Sequence, residues 1–210
     1  MSSKKSPNNP PSVSPTPRFF GITGGIGSGK SHICRHIEAA GYPVFYCDAE
    51  AKRIIRTNAE VKEQLKQLVG AEVYSADGTL QKPVLAAYIC HSKAQAAQVD
   101  AIVHPEVAKS FVTWAAQQTA TKIFMECALL FESGFDRLVH RSILVSAPLE
   151  KRIARVMQRD GVSQAKAEEW IALQMPEEEK ARRAHYIIYN EYTPDFQESL
   201  CAFLEDRIKI

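Results

Sequence analysis

Nowhere in these 210 residues is there an apolar run approaching the roughly 20 residues that a bilayer-spanning helix needs. The first 17 residues (MSSKKSPNNPPSVSPTP) lack the apolar stretch of a secretory signal, so no membrane association is expected. No C-x-x-C pair occurs among the five cysteines, Cys34, Cys47, Cys90, Cys127 and Cys201. Their odd number and wide spacing suit reduced thiols in a cytoplasmic protein better than a disulfide framework. There is also no block of like charge. The 26 basic and 24 acidic residues are spread along the chain and leave a net charge of +2, so no nucleic-acid partner is expected. Local basic pockets for small phosphates remain open. The oligomeric state is not written in the sequence, and a monomer is compatible with it.

What is present is a soluble-protein composition, 45% hydrophobic and 24% charged. Residues 1–17 contain almost nothing that could be buried, so a disordered tail is expected there, followed by one folded unit over residues 18–210. Short apolar runs at Phe19–Ile22, Val44–Cys47, Ile123–Cys127, Ile143–Val145 and Tyr186–Tyr189 alternate with helical patterns. That alternation predicts an α/β fold with a doubly wound, parallel, five-stranded sheet. A helix is predicted from about Lys30 to Ala40, stopped by Gly41. The stretch from about residue 49 to residue 119 is too long for a simple crossover. It predicts a helical insertion over the carboxyl ends of the strands, with Thr57 and Glu60 spaced as a capping box and Pro105 placed to begin a helix. A smaller, charged insertion at about residues 159–180 follows a helix that starts near Pro148. A last helix, opened by Thr193-Pro194, should lay Phe196, Leu200, Phe203, Leu204 and Ile208 on the sheet.

The chemistry concentrates after the first apolar run. Gly24-Gly25-Ile26-Gly27-Ser28-Gly29-Lys30-Ser31 satisfies G-x-x-x-x-G-K-[ST], between a predicted strand and a predicted helix. Glycines there let successive backbone N–H groups converge on phosphate oxygens at a helix N-terminus. Lys30 would reach the β- and γ-phosphates of ATP, and the Ser31 hydroxyl would bind the accompanying Mg²⁺. Gly25 through His32 are therefore the expected ATP-binding residues. Read blandly, the same string is a glycine-rich turn with an incidental Lys-Ser.

No N-K-x-D string is present, which removes the guanine-specific signal, and neither Met125-Glu126-Cys127 nor Val145-Ser146 gives an apolar run ending in Asp. The acid instead follows the second run, Val44-Phe45-Tyr46-Cys47-Asp48. An Asp at the tip of that strand points into the crevice above the γ-phosphate, where it can orient an acceptor hydroxyl or take its proton. Its bland alternative is a helix N-cap.

Taken in order, these residues resemble the dephospho-coenzyme A kinase family of P-loop kinases. Thr23–Ser31 read T-G-G-I-G-S-G-K-S, and Asp48, Ala51 and Lys52 match the family's Asp with its following A-[RK] step. Ile102-Val103-His104-Pro105 is similar to its I-x-H-P element and Leu129-Leu130-Phe131-Glu132 to its L-L-F-E element. Met157–Gly161 and Gln174-Met175-Pro176 with Glu178, Glu179 and Lys180 resemble its lid and Q-M-P-x-E-E-K elements. The matches span residues 19–190.

The resemblance implies phosphorylation of the ribose 3′-hydroxyl of dephospho-coenzyme A by ATP. It also implies an acceptor-binding role for the helical insertion with His104, Phe131 and Glu132, and a lid that brings Arg159 to the transferring phosphate. Five positions depart from the family pattern: His32 for Thr, Ala128 for Pro, Tyr46 and His185 where Asp is usual, and Asn190-Glu191 without the usual Gly. Alternatives left open are another P-loop small-molecule kinase, or a nucleotide-binding regulatory protein without turnover.

The remaining candidates have plain readings beside these. Arg159 can be a solvated charge, and His104 a cap for a helix begun by Pro105. His32 and His36 lie four apart on a predicted helix but lack the Glu of H-E-x-x-H and an evident third ligand, so no structural metal is expected there.

Overall fold

The protein is described by a computed structural model over residues 17–190. The expected closing helix and most of the N-terminal tail lie outside the described residues. Five strands, β1 (Arg18–Thr23), β2 (Val44–Tyr46), β3 (Lys122–Glu126), β4 (Arg141–Ser146) and β5 (Tyr186–Tyr189), form one parallel sheet in the order β2-β3-β1-β4-β5. Every strand was legible as an apolar run, because strands covered on both faces read that way.

Period-two alternation sorts the side chains between the two faces. Phe20, Ile22, Phe124, Ile143 and Val145 pack with Ile33, Cys34 and Ile37 of α1 (Lys30–Ala39). Ile123, Met125 and Cys127 point the other way, into the larger core beneath α2 (Cys47–Thr57), α3 (Ala59–Val69), α4 (Lys82–His91) and α5 (Lys93–Ala115). Gly41, at φ +86°, follows α1 in the left-handed conformation that glycine adopts at no steric cost.

Two expected helix starts are corrected. Asn58, not Thr57, caps α3, its Oδ1 accepting from Val61 N–H at 3.1 Å, while the Thr57 hydroxyl donates to the Arg53 carbonyl within α2. Pro105 does not open a helix but lies inside the 23-residue α5. An interior proline costs about 3 kcal/mol, through a lost N–H and a clash with the preceding turn. Val99, Val103, Val107, Phe111 and Ala115 recur every fourth residue and are all buried, on both sides of Pro105. Burying one such aliphatic or aromatic side chain is worth about 1.5–3 kcal/mol, so the stripe outweighs the proline.

Beyond β4, α6 (Leu149–Asp160), α7 (Gln164–Ala172) and α8 (Glu177–Arg183) lead to β5. No helix among the described residues is long and apolar enough to cross a membrane.

Candidate active site

The glycine-rich loop joins β1 to α1 at the carboxyl edge of the sheet. Gly29, at φ +92°, is the residue before α1, and Gly27 sits at φ +78° with the Arg152 carbonyl only 2.5 Å from where a Cβ would stand. A side chain at Gly27 is therefore barred by both backbone conformation and space. The loop is braced from behind by α6. Arg152 Nε donates to the Ile26 carbonyl at 3.1 Å, and Arg155 Nη1 donates to the Gly27 carbonyl at 3.1 Å. Arg152 is itself held by Glu177, which also accepts from the Ser146 hydroxyl. Fully buried Asn190, just beyond β5, donates from Nδ2 to the Ser28 carbonyl at 2.8 Å. These loop carbonyls are tied down by side chains 120 or more residues away in sequence.

A cavity of about 790 Å³ opens in front of the loop, bordered by Ile26, Gly27, Gly29, Lys30, Ser31 and His32. Asp48, Lys52, Glu126, Arg155 and Arg159 border the same space. The fold thus brings together the loop, its lysine and serine, the Asp after β2 and Arg159. Gly25 and Ser28 lie behind the lining. The Ile26 N–H is already engaged, donating to Gln174 Oε1 at 2.7 Å.

Lys30 Nζ folds onto the loop, donating to the Gly24 carbonyl at 2.8 Å. Burial lowers its pKa, against the pull of Glu126 and Asp48. Asp48 does not cap α2. That position is Tyr46, and Asp48 lies exposed in the first turn, facing the cavity. Arg159 pairs with Asp160 at 2.7 Å.

Sequence reasoning passed over Glu126. It ends β3 on the α1 side of the sheet, is 7% exposed, and stands beside Lys30 and Asp48 in the electrostatics of the site. Burial raises its pKa, the Lys30 charge opposes the rise, and Asp48 adds to it. The available signal was an acid closing the third apolar run, but it was a Glu where an Asp was sought. Arg155, Gln174 and Asn190 were missed as loop braces because nothing local in the sequence marks them.

The Ser31 hydroxyl and the carboxylates of Asp48 and Glu126 border one cavity, a hard oxygen donor set that fits Mg²⁺. Among the described residues no three His, Cys, Asp or Glu side chains cluster into a metal cage.

A second cavity of about 580 Å³ lies against α5, bordered by Asp100, His104, Pro105, Glu132, Phe135 and Arg137 among others. His104 does not cap a helix. Its Nε2 is 3.4 Å from Asp100, and its ring meets the Phe135 edge with centroids 5.3 Å apart. Glu132 accepts from the Met175 N–H and pairs at 3.1 Å with Lys180, which is 1% exposed and also donates to the Ala128 carbonyl. The buried Lys180 ammonium is stable because of that partner. Phe131 borders neither of these two cavities and is buried in the larger core, under the Arg183 guanidinium at 4.7 Å.

Three of the five departures from the family pattern, Tyr46, His185 and His32, have a local account. The Tyr46 hydroxyl donates to Glu38 at 3.0 Å, and His185 Nδ1 accepts from Ser142 N–H at 3.1 Å. His32 N–H donates to the Gly29 carbonyl at 2.9 Å. Burial and its cationic neighbours His36, Arg35 and Arg155 hold the His32 pKa below its usual value.

A parallel β2-β3-β1-β4-β5 sheet with a phosphate-binding loop after β1 and an acid after β2 defines a P-loop kinase. The dephospho-CoA kinase family model matches residues 18–195, and the chain belongs to that family. It is 41% identical over 194 residues to a dephospho-CoA kinase from Bacteroides fragilis strain YCH46, covering 90% of this chain and 94% of the relative. The fold is similar to the crystal structure of TT1252 from Thermus thermophilus, with TM-score 0.79 and 36% identity over 91% of this chain and 98% of that one. It is also similar to a dephospho-CoA kinase from Campylobacter jejuni, with TM-score 0.66 and 25% identity over 90% and 96% of the two chains.

Proposed function

We propose that this chain transfers the γ-phosphoryl group of ATP to the ribose 3′-hydroxyl of dephospho-coenzyme A, giving coenzyme A and ADP. One observation carries the reading: the phosphate loop with Lys30, and Asp48 across from it, border a single cavity in a chain of the dephospho-CoA kinase family.

In this mechanism the amides of Gly27, Gly29, Lys30 and Ser31 and the Lys30 ammonium hold the β- and γ-phosphates. Asp48 orients the acceptor hydroxyl in line with the γ-phosphorus and takes its proton as the new P–O bond forms and the bond to the β-γ bridging oxygen breaks. Arg159 leaves Asp160 to meet the charge developing on the transferring group. Ser31, with Asp48 and Glu126 nearby, would hold Mg²⁺, whose chemistry is to neutralise phosphate charge. Residues 49–119 serve as the acceptor-binding insertion, with His104 and Glu132 on the acceptor side, and residues 159–180 serve as the lid. The four described cysteines are free thiols, which supports a reducing, cytoplasmic setting.

The test is incubation with ATP, Mg²⁺ and dephospho-coenzyme A, followed by mass spectrometry. A product heavier than the acceptor by one phosphoryl group is expected. ATP binding without transfer to any acceptor would favour a nucleotide-binding protein without turnover.

A further inference from the structure

His32 and His36 lie one turn apart on α1, and their Nε2 atoms stand 3.1 Å from each other, with ring planes at 86°. His32 also borders the phosphate cavity. Two imidazole nitrogens bound at about 2.0–2.1 Å to one cation stand roughly 2.8–3.4 Å apart for bond angles between square and tetrahedral. The observed separation falls inside that interval. The helix spacing that brings residues i and i+4 together sets the bite.

We propose that His32 and His36 form an exchangeable site for one borderline-soft divalent cation, of the Zn²⁺ or Ni²⁺ class, at the edge of the phosphate cavity. In the metal-free protein the two rings share one proton in an Nε2···Nε2 hydrogen bond. The cation takes both Nε2 lone pairs, and that proton leaves to solvent or moves to the Nδ1 of its own ring. Water or a phosphate oxygen fills the remaining positions.

The site is distinct from the Mg²⁺ position in donor chemistry. Imidazole nitrogens select transition metals, whereas Mg²⁺ requires oxygen. With two protein donors instead of the four of a structural site, the pair exchanges metal rather than holding it permanently. Occupancy next to the loop would couple nucleotide binding to transition-metal level.

The test is titration of the tag-free protein with Ni²⁺ by isothermal calorimetry, without nucleotide, comparing wild type with His36→Gln. One Ni²⁺ per chain is expected in wild type, with binding at least about tenfold weaker in the variant. In parallel, paramagnetic Ni²⁺ should broaden two of the six histidine ring signals before the other four. This second readout needs no variant, and neither readout depends on phosphoryl transfer. Equal Ni²⁺ binding by wild type and His36→Gln, absence of saturable binding, or uniform broadening of all six signals would overturn the proposal.

Discussion

The cavity at the phosphate loop and the cavity beside α5 are made of different material. Around the loop after β1 the expected donors to phosphate are backbone amides, and distant side chains act mainly from behind, with Arg152, Arg155 and Asn190 holding the loop carbonyls. Beside α5 the walls are side chains, including Asp100, His104, Glu132 and Arg137. A backbone-built site tolerates side-chain variation except where a charge or a glycine is indispensable, which is why His32 can stand in the loop motif. A side-chain-built site spreads its recognition over many modest contacts. The first should fail abruptly when a reacting or phosphate-binding group is lost, and the second should weaken by degrees.

That contrast can be broken or sharpened by substitution. The largest effect is expected from Asp48→Asn, which keeps the shape of the side chain and removes its proton-accepting charge. Turnover should fall about 10²- to 10⁴-fold with ATP affinity, read by nucleotide titration, largely kept. Undiminished turnover would make Asp48 a solvated first-turn carboxylate and nothing more.

Lys30→Met comes next. A loss on the order of 10²- to 10³-fold in kcat/KM for ATP is expected in a variant that still unfolds cooperatively in the absence of nucleotide, because Lys30 contributes charge to phosphate. Near-normal kinetics in a folded variant would remove the loop from the mechanism.

On the acceptor side, His104→Ala should raise KM for dephospho-coenzyme A about tenfold and leave kcat nearly as it was, the pattern of lost uniform binding. A change seen only in KM for ATP would place the acceptor elsewhere.

The smallest effect concerns stability. Glu126 has its folded-state pKa raised by burial above the ordinary 4.5. The folded state therefore binds more protons than the unfolded state in the window above 4.5, and Glu126 costs stability increasingly as pH rises through that window. Glu126→Gln removes this cost. Denaturant unfolding at successive pH values should show the variant gaining on wild type as pH rises from 4.5. A constant difference across that range would mean that Glu126 ionises freely in the fold.

The same contrast explains what could be read from the residues alone. The sheet was legible because all five strands are apolar runs, and the phosphate loop was legible because its function lies in eight consecutive residues. Pro105 misled because local propensity opposes a continuous α5, and the deciding evidence is the buried Val99–Ala115 stripe meeting three other helices. Thr57 misled because Asn58 beside it is an equally good cap. The contact of Phe131 with the Arg183 guanidinium joins residues about 50 apart in sequence, which no local pattern marks. Glu126 and the loop-bracing arginines become functional only through strand order and helix packing, which no local pattern records.

The central claim is that the acceptor side selects an extended nucleotide and presents its 3′-hydroxyl to the γ-phosphate. Acceptor competition among dephospho-coenzyme A, adenosine, AMP and shikimate, followed by phosphorus NMR of the product, tests it most directly. The account predicts that dephospho-coenzyme A dominates and that the new phosphate is on the ribose 3′-oxygen. Preference for a small acceptor such as shikimate, or phosphate on any other oxygen, would contradict it.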